Sequence, residues 1–215
     1  MPRIPLSQDE VNAVKGKILE AALQIITDDG FRNLSMRKIA KYLGITATTI
    51  YNYYTNVDDL YFHIRMHGFE LLYRRFYELY VSYSVPAERL YAMIKGYVKF
   101  SLEYPDFYDV MYVNRKVPKY LEVIGTEIEQ VASEEKEMAL KPFLLVMDTL
   151  KSMSECDPAF SDEAILYKAT QLWCDLNGIL SLHNSRLLRE VNENVDALVE
   201  RLVEDVASRH GGRFK

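Results

Sequence analysis

The sequence has few of the features that mark secreted or membrane-embedded proteins. Its 215 residues contain two cysteines, Cys156 and Cys174, which we expect to be reduced, buried thiols and neither a disulfide nor a redox sensor. The apolar runs are too short and too often interrupted to cross a bilayer. The N-terminal segment MPRIPLSQDE lacks the apolar core of a signal peptide, so we expect a cytoplasmic protein without membrane contacts.

Motifs of enzymes are also scarce. The chain has neither a glycine-rich phosphate loop nor the nucleophile elbow of a serine hydrolase. His63 and His67 have the i, i+4 spacing that can chelate a metal, but no Glu follows His63 as the zinc-protease motif requires. Two such histidines are more often solvated side chains on a helix face. We therefore predict a protein that is not an enzyme and holds neither a metal ion nor a cofactor.

The most informative segment, residues 31–60, carries three helix-capping residues and one glycine in a regular order. Ser35 is a good N-cap for a short helix, and Gly44 follows that helix where the chain must enter a left-handed conformation. Thr46 caps a second helix, and Asn56 caps a third. The apolar residues that we expect to face the core are Met36, Ile39, Ala40, Leu43, Ile45 and Ile50. Two helices joined by a short turn are the layout of a helix-turn-helix DNA reader.

The second helix of this segment, 47–53, presents small and hydroxyl-bearing side chains on its outward face. Threonine methyl groups can touch a thymine methyl group, asparagine can pair with adenine, and tyrosine hydroxyls commonly reach phosphate. From Arg32 to Val57 there are four basic residues and no acidic ones, whereas the whole chain carries a net charge of −5. Such a patch suits a DNA-facing surface. We predict DNA contacts from Ser35, Arg37, Lys38, Thr46, Ala47, Thr48, Thr49, Tyr51, Asn52 and Tyr53.

This segment resembles the N-terminal domain of TetR-type transcriptional regulators. The matching pattern begins with Gly-Phe and continues as Ser-x-Arg-x-Ile-Ala-x-x-Leu-Gly-Ile-x-x-x-Thr-Ile-Tyr-x-Tyr-Tyr-x-Asn-x-Asp-Asp-Leu. It is carried by Gly30, Phe31, Ser35, Arg37, Ile39, Ala40, Leu43, Gly44, Ile45, Thr49, Ile50, Tyr51, Tyr53, Tyr54, Asn56, Asp58, Asp59 and Leu60. The resemblance covers about residues 10–70, and it departs from the family at Val57, where Lys is common.

Two later segments, 86–113 and 173–178, resemble the ligand-binding half of a TetR subgroup with a Trp-x-x-x-His-Gly signature, although Asn177 stands at the His position. The resemblance implies an all-α fold, with a helix-turn-helix DNA-binding domain at 1–60 and a helical ligand-binding and dimerisation domain at 61–215. Helical periodicity and the positions of Pro, Gly and capping residues agree with this class. Outside the reader, they predict helices over 9–28, 57–83, 86–103, 106–113, 118–138, 142–155, 162–188 and 190–208.

The last two long helices carry apolar stripes that are typical of a helix-packing surface. One stripe consists of Ile165, Ala169, Leu172, Leu176, Ile179, Leu180 and His183, and the other of Val191, Val195, Leu198, Val199, Leu202, Val203 and Val206. These stripes suit either the chain's own core or an intersubunit four-helix bundle, the usual arrangement in the resembled family. We favour the bundle and predict a two-fold homodimer, because a reader gains affinity and register from two half-sites of a palindromic operator.

The second predicted domain is rich in aromatic and sulfur-containing side chains that suit either a solid core or an apolar cavity. We predict ligand contacts from Met93, Tyr97, Phe100, Tyr104, Tyr108, Met111, Phe143, Met147, Trp173 and Asn177. The polar groups at the ends of side chains that would orient a ligand, here called polar tips, are those of Tyr97, Tyr108, Asn177 and Asp175. Aromatic faces with one carboxylate would also suit a cationic ligand.

The predicted function is that of a repressor of transcription. An unknown small-molecule effector would release it from double-stranded operator DNA by favouring one spacing of the two readers. We expect the helix over 57–83 to transmit the effect of the ligand, because it connects the helix-turn-helix reader to the second domain. A ligand-independent DNA-binding protein and an activator-type regulator are the alternatives.

Overall fold

Helices account for every regular element in the computed structural model, which describes residues 7–113, 117–154 and 161–211. The α-helices are α1 (Gln8–Asp29), α2 (Met36–Leu43), α3 (Ala47–Tyr51), α4 (Val57–Ser82), α5 (Pro86–Glu103), α6 (Pro105–Tyr108), α7 (Glu129–Ser154), α8 (Asp162–Asn184), α9 (Leu188–Val191) and α10 (Val195–Gly211). Shorter helical turns occupy Phe31–Asn33, Asp109–Val113 and Tyr120–Glu122. The predicted all-α fold is confirmed. In the described ranges, no helix combines the length and the apolar character that a membrane span needs.

The described chain divides into two compact units. The first unit contains the residues up to Gly68 and those from Asp109 to Glu137, and the second contains Phe69–Tyr108 and the residues from Met138 onward. Both α4 and α7 therefore contribute residues to each unit. A compact unit need not coincide with a functional domain. The predicted domains at 1–60 and 61–215 therefore stay a prediction.

The first unit begins with α1, which is capped at its start and buried along one face. The Ser7 Oγ accepts a hydrogen bond from the Glu10 backbone N–H (3.3 Å), and the Glu10 carboxylate accepts one from the Ser7 N–H (2.7 Å). The buried face of α1 consists of Ile18, Ala21, Ala22, Ile25 and Ile26. Helix α1 packs against α2, and α2 packs against α3. The apolar face of α1 is thus the support on which the reader is built.

A second core of the first unit forms around the start of α4. The Phe62 side chain is buried together with Val123, Ile128 and Ala132. These partners come from a segment far along the chain, so the unit that contains the reader also contains residues from the second half of the sequence.

The first unit also contains an ion pair with almost no solvent contact. Arg65 is 1% exposed and Glu135 is 5% exposed. The Arg65 guanidinium donates from Nε to Glu135 Oε1 (3.0 Å), from Nη2 to Glu135 Oε2 (2.8 Å) and from Nη1 to the Pro118 carbonyl oxygen (3.1 Å). A bidentate pair with a third hydrogen bond offsets much of the cost of burying two charges. Removal of either partner would leave the other charge uncompensated.

The second unit is built around α5, which packs against α8 and α10. Its bounds, Pro86–Glu103, confirm the prediction. A Cβ at Gly96 would lie 2.6 Å from Leu79 Cδ1, so glycine lets the C-terminal part of α4 approach α5 closely. The core of the unit consists of Leu90, Met93, Ile94, Tyr97 and Phe100 from α5, Ile165, Ala169, Leu172, Leu176 and Leu180 from α8, and Val199, Val203, Val206 and Ala207 from α10.

The predicted break between helices 118–138 and 142–155 is wrong. Helix α7 begins at Glu129 and continues through Pro142 to Ser154. Proline lacks a backbone donor and usually ends a helix. Pro142 is buried here, and we infer that the packing around it overrides its local preference.

Other predicted boundaries also differ from the structure, and the predicted helix 118–138 begins only at Glu129. The predicted helix 106–113 is divided into α6 and a π-helical turn. Helix α8 ends before Arg186, which adopts a left-handed conformation with φ of 64°. The predicted helix 190–208 is divided into α9 and α10, because Asn192 Oδ1 accepts a hydrogen bond from the Asn194 N–H (2.7 Å) in a turn between them. Asparagine side chains of this kind compete with helical hydrogen bonds.

Two predicted core side chains are instead exposed. Ile45 follows the left-handed residue of the reader and is 36% exposed, so it does not close the turn into the core. The thiol of Cys174 is free and exposed on α8, contrary to the prediction of a buried side chain. Cys156 lies outside the described residues.

Candidate DNA interface and ligand site

The turn between α2 and α3 is fixed by local features that the sequence predicted. The Ser35 Oγ accepts a hydrogen bond from the Lys38 N–H (3.2 Å) and caps α2. Gly44 ends α2 in the left-handed conformation with φ of 66°, where a side chain would introduce strain. The Thr46 Oγ1 then accepts a hydrogen bond from the Thr49 N–H (3.2 Å) and caps α3. The helix-turn-helix geometry is therefore set by local contacts within the segment from Ser35 to Thr49.

Two buried side chains hold α3 on its support. Ile50 is fully buried, and Tyr54 is buried with its hydroxyl donating to the Lys15 carbonyl oxygen of α1 (3.1 Å). Burial and the negative charge of Asp59 raise the pKa of the Tyr54 phenol, so this donor stays protonated. Because Tyr54 joins the end of the reader to α1, the orientation of α3 does not depend on its five residues alone.

The start of α4 is capped as predicted and carries a buried carboxylate. Asn56 Oδ1 accepts a hydrogen bond from the Asp59 N–H (2.9 Å), and Asp59 Oδ2 accepts one from the Thr55 N–H (2.8 Å). Burial tends to raise the pKa of Asp59, but hydrogen bonds from His63 and the Thr55 N–H, with the charges of His63 and Lys15, hold it below the usual value. His63 thus has a structural partner on its own helix.

Helix α3 ends at Tyr51, two residues earlier than predicted, and the predicted DNA contacts on it and at its ends differ in exposure. Thr46, Thr48, Tyr51 and Asn52 are exposed, whereas Ala47, Thr49 and Tyr53 are half-buried. Thr49 Oγ1 lies 2.9 Å from Thr46 Oγ1, so its hydroxyl belongs to the N-cap as well as to the predicted contact surface. Contacts with DNA remain a prediction for all seven. The side chains best placed to meet a groove are those of Thr48, Tyr51 and Asn52, which point away from the support.

The basic side chains before α3 lie on and beside α2. Arg32, Arg37 and Lys41 are exposed, and Ser35 is exposed at the N-cap. The Lys38 Nζ lies 2.7 Å from Asp29 Oδ2 at the end of α1. Asp29 lies outside the basic segment from Arg32 to Val57, so the composition of that segment does not reveal this pair.

Arg32 also has an acidic neighbour that sequence reasoning missed. Burial raises the pKa of the Asp109 carboxyl, and the positive charge of Arg32 opposes this rise. Asp109 belongs to the first unit although it lies far from Arg32 in the sequence, so no local pattern indicates that the two are neighbours.

Three of the predicted polar tips of the ligand site meet in the second unit. The hydroxyls of Tyr97 and Tyr108 both donate to Asn177 Oδ1, at 3.0 and 2.9 Å. The Asn177 Nδ2 donates to the Trp173 carbonyl oxygen one helical turn earlier (2.8 Å). Burial raises the pKa of Tyr108 to about 12, so its phenol is neutral at physiological pH. Asn177 is thus the acceptor that brings α5, α6 and α8 together.

The apolar members of the predicted site differ in burial and in the unit to which they belong. Met93 and Phe100 are buried in α5, while Phe143 and Met147 are half-buried in α7. Phe143 packs edge-on against Trp173, with ring centroids 6.1 Å apart, although Trp173 remains 45% exposed. Tyr104 is exposed at the end of α5, and its ring stacks at an angle on Phe100. Met111 is buried in the first unit.

Asp175, the fourth predicted polar tip, lies apart from the Tyr97–Asn177 cluster. Its Oδ2 atom lies 3.3 Å from His210 Nε2 and 3.3 Å from Arg209 Nη1, both on α10. The carboxylate is therefore engaged between α8 and α10, and it does not supply a negative charge to the aromatic cluster.

The predicted dimer stripes are mostly part of the chain's own core. The buried members are Ile165, Ala169, Leu172, Leu176 and Leu180 of α8 and Val195, Val199, Val203 and Val206 of α10. Ile179, Leu198 and Leu202 are only half-buried. Ile179 and Leu202 line an open groove of about 500 Å³ between α8 and α10, with Asp175, Asp205 and Arg209 at its rim. Val191, in α9, is exposed and does not belong to this surface.

Comparison with protein families assigns both halves of the chain. A model of bacterial regulatory proteins of the tetR family matches residues 18–64, and one of the tetracyclin repressor-like C-terminal domain matches residues 90–206. The second match alone spans more than half of the sequence. Neither bears on the Trp-x-x-x-His-Gly subgroup, which stays a prediction. No curated protein matches the chain.

Solved structures with a similar fold include three from bacteria. A protein of unknown function from Rhodococcus sp. RHA1 is 18% identical with a TM-score of 0.70, and the match covers 98% of this chain and 99% of that one. FadR from Bacillus subtilis, in complex with stearoyl-CoA, is 16% identical with a TM-score of 0.62 over 93% and 99%. FadR from Thermus thermophilus, a TetR-family repressor in complex with lauroyl-CoA, is 16% identical with a TM-score of 0.60 over 94% and 95%. At these identities the likeness shows the shared fold.

Proposed function

The chain belongs to the tetR family of bacterial regulatory proteins, and we propose that it is a sequence-specific repressor that a small-molecule ligand releases from its operator. The class of transcriptional regulator follows from the family. The proposal adds the direction of regulation, a two-fold homodimer on a palindromic site, and the release by ligand.

The observation that carries the DNA-binding proposal is the exposed face of α3 on a buried support. Ile50 and Tyr54 fix the helix from below, and Thr48, Tyr51 and Asn52 project into solvent. A helix fixed in this way can present the same side chains to base edges in every complex, which sequence-specific readout requires. The neighbouring basic side chains supply phosphate contacts that hold the reader in register.

A homodimer is supported by the groove between α8 and α10. Its apolar floor, Ile179 and Leu202, is only half-buried within the chain. Its rim carries both signs of charge, from Asp205 and Arg209 of α10, so a second copy related by a two-fold axis would meet complementary groups.

Light scattering at micromolar concentration tests the dimer. We expect a dimeric mass for the wild-type chain and a monomeric mass for Ile179→Glu, which places a charge in the apolar groove. The control is Leu121→Glu, which adds the same charge at an exposed leucine of the first unit and should leave the mass unchanged. A monomeric wild-type chain would refute the dimer.

Binding-site selection from randomised duplexes tests the repressor proposal. We expect a palindrome whose half-sites lie about one helical turn apart, ~34 Å. Tyr51→Ala and Asn52→Ala should weaken binding to that palindrome while the melting temperature stays near that of the wild type, because both side chains are exposed. Binding without any selected motif would contradict sequence-specific recognition.

The ligand is proposed to bind beside the Tyr97–Asn177 cluster, because the aromatic pair Phe143–Trp173 lies one helical turn of α8 from Asn177. Because α4 contributes residues to both units, a ligand that favours one conformation of the second unit can shift the spacing of two readers. Stearoyl-CoA and lauroyl-CoA, which the two FadR structures contain, are the first compounds to test.

A thermal-shift panel of these thioesters with aromatic and cationic compounds identifies the ligand class. A hit should also release the selected duplex, and Asn177→Leu should reduce both effects. If no compound in the panel shifts the melting temperature, the ligand-independent alternative is favoured, since the cluster already satisfies the Asn177 carbonyl oxygen from within.

A further inference from the structure

The ion pair between Lys38 and Asp29 lies at the edge of the proposed DNA interface. Lys38 is in the first turn of α2, and Asp29 is the last residue of α1. The Lys38 Nζ and Asp29 Oδ2 atoms are 2.7 Å apart, and the two side chains are 36% and 48% exposed. Both groups are therefore accessible to a ligand that approaches α2.

A phosphate and the Asp29 carboxylate compete for the same ammonium group. Ion pairs between partly exposed side chains are weak and are screened by salt, so a phosphate can displace the carboxylate. The displaced carboxylate then faces the phosphate with a charge of the same sign. A free lysine, in contrast, contributes its full charge to the release of counterions from DNA.

We propose that Asp29 lowers the affinity of this chain for DNA, because its carboxylate pairs with the Lys38 ammonium group and competes with the DNA phosphates for it. The restraint acts on every DNA sequence alike, because phosphates carry no sequence information. It therefore lowers non-specific binding and leaves discrimination to the side chains of α3. This inference rests on the proposed DNA-binding function.

Asp29→Asn tests the restraint, with Asp28→Asn as the matched control. Both variants remove one negative charge at the end of α1, but Asp28 Oδ1 accepts a hydrogen bond from Gln24 Nε2 (2.9 Å) and is not paired with Lys38. Fluorescence anisotropy with a random-sequence duplex measures affinity over a series of salt concentrations. For Asp29→Asn we expect roughly three- to tenfold tighter binding at about 0.1 M salt and a salt slope steeper by ~0.9. The control should change either quantity far less.

Lys38→Gln completes the test as a double-mutant cycle. The gain from Asp29→Asn should disappear when Lys38 is also replaced, and it should persist when the exposed Arg37 is replaced by Gln. Melting curves show whether each variant folds. Equal affinities of Asp29→Asn and Asp28→Asn, a gain that survives Lys38→Gln, or weaker binding by Asp29→Asn would each overturn the restraint.

These outcomes are distinct from failure of the proposed function. The random-sequence duplex measures the phosphate term even if selection recovers no operator, in which case only sequence-specific repression is refuted. Failure of the wild-type chain to bind any duplex at low salt would overturn both the proposed function and the restraint.

Discussion

The helix-turn-helix reader and the second unit satisfy their polar side chains in different ways. In the reader, Ser35, Thr46 and Asn56 each accept a backbone N–H from three residues later. In the second unit, Tyr97 and Tyr108 donate to Asn177, which is 80 and 69 residues away in sequence. A cap and its partner share one turn of helix, so local pairing leaves a pattern in the sequence. Distant pairing depends on which helices pack together.

The first unit contains a distant pair as well, and its loss should have the largest effect on stability. Glu135→Ala leaves the Arg65 guanidinium buried with its carbonyl contact alone, and we expect a loss of about 3–5 kcal/mol in the free energy of unfolding. Urea denaturation measures it. The charge-free pair Arg65→Met/Glu135→Leu should lie much closer to the wild type. If the single and double variants are equally unstable, the buried charge is not the cause.

Loss of the shared acceptor in the second unit should have an intermediate effect. Asn177→Leu removes the carbonyl oxygen to which both phenols donate, and we expect a loss of about 1–3 kcal/mol. Gln171→Leu, at an exposed position of the same helix, is the matched control and should leave the free energy of unfolding unchanged. Equal urea midpoints for the two variants would show that the cluster contributes nothing.

Removal of a local cap should cost less than either distant contact. Ser35→Ala and Thr46→Ala are each expected to lower the free energy of unfolding by about 1 kcal/mol. Thr48→Ala, on the exposed face of α3, should leave stability unchanged and weaken binding to the selected duplex. The free energy of unfolding and the affinity for the selected duplex, measured on all three variants, distinguish a capping role from a DNA contact. If Thr48→Ala also lowered the free energy of unfolding, its weaker binding could not be assigned to a lost DNA contact.

The smallest expected effect is a change in the acid dependence of stability. The pKa of Asp59 is lower in the folded chain, so its contribution is present above the unfolded pKa and is lost as pH falls through the folded pKa. Asp59→Asn should therefore reduce the loss of stability on acidification below about pH 5. Melting temperatures measured across that range check this, and parallel curves for the two chains would contradict it. The Asn side chain still accepts the Thr55 hydrogen bond, so folding should persist.

The positions of the helices in the reader could be predicted, because the capping residues and the glycine that end them act locally. Ser35, Gly44, Thr46 and Asn56 stand where the structure places the ends of helices. The same reasoning located Pro86 at the start of α5. It failed at Pro142, because a proline in isolation predicts a helix end, whereas a buried proline can be retained by the packing around it.

The candidate ligand site was only partly predictable. Composition singled out Tyr97, Tyr108 and Asn177, and the structure brings these three together. Composition also suggested Asp175, which instead contacts α10. Residues on one helix share a sequence neighbourhood but point in different directions, and only the packing of α8 between its neighbours decides which of them face the cluster.

By itself the sequence determined the helical class, the position of the reader and the family, because caps, a left-handed glycine and apolar spacing act over a few residues. The tertiary structure alone decided that Arg65 pairs with Glu135, that α7 continues through Pro142, and that Asp29 holds Lys38. It also decided which stripe residues are core and which line the groove. Each of these depends on the approach of side chains from different helices, and a linear sequence does not encode that approach in any local pattern.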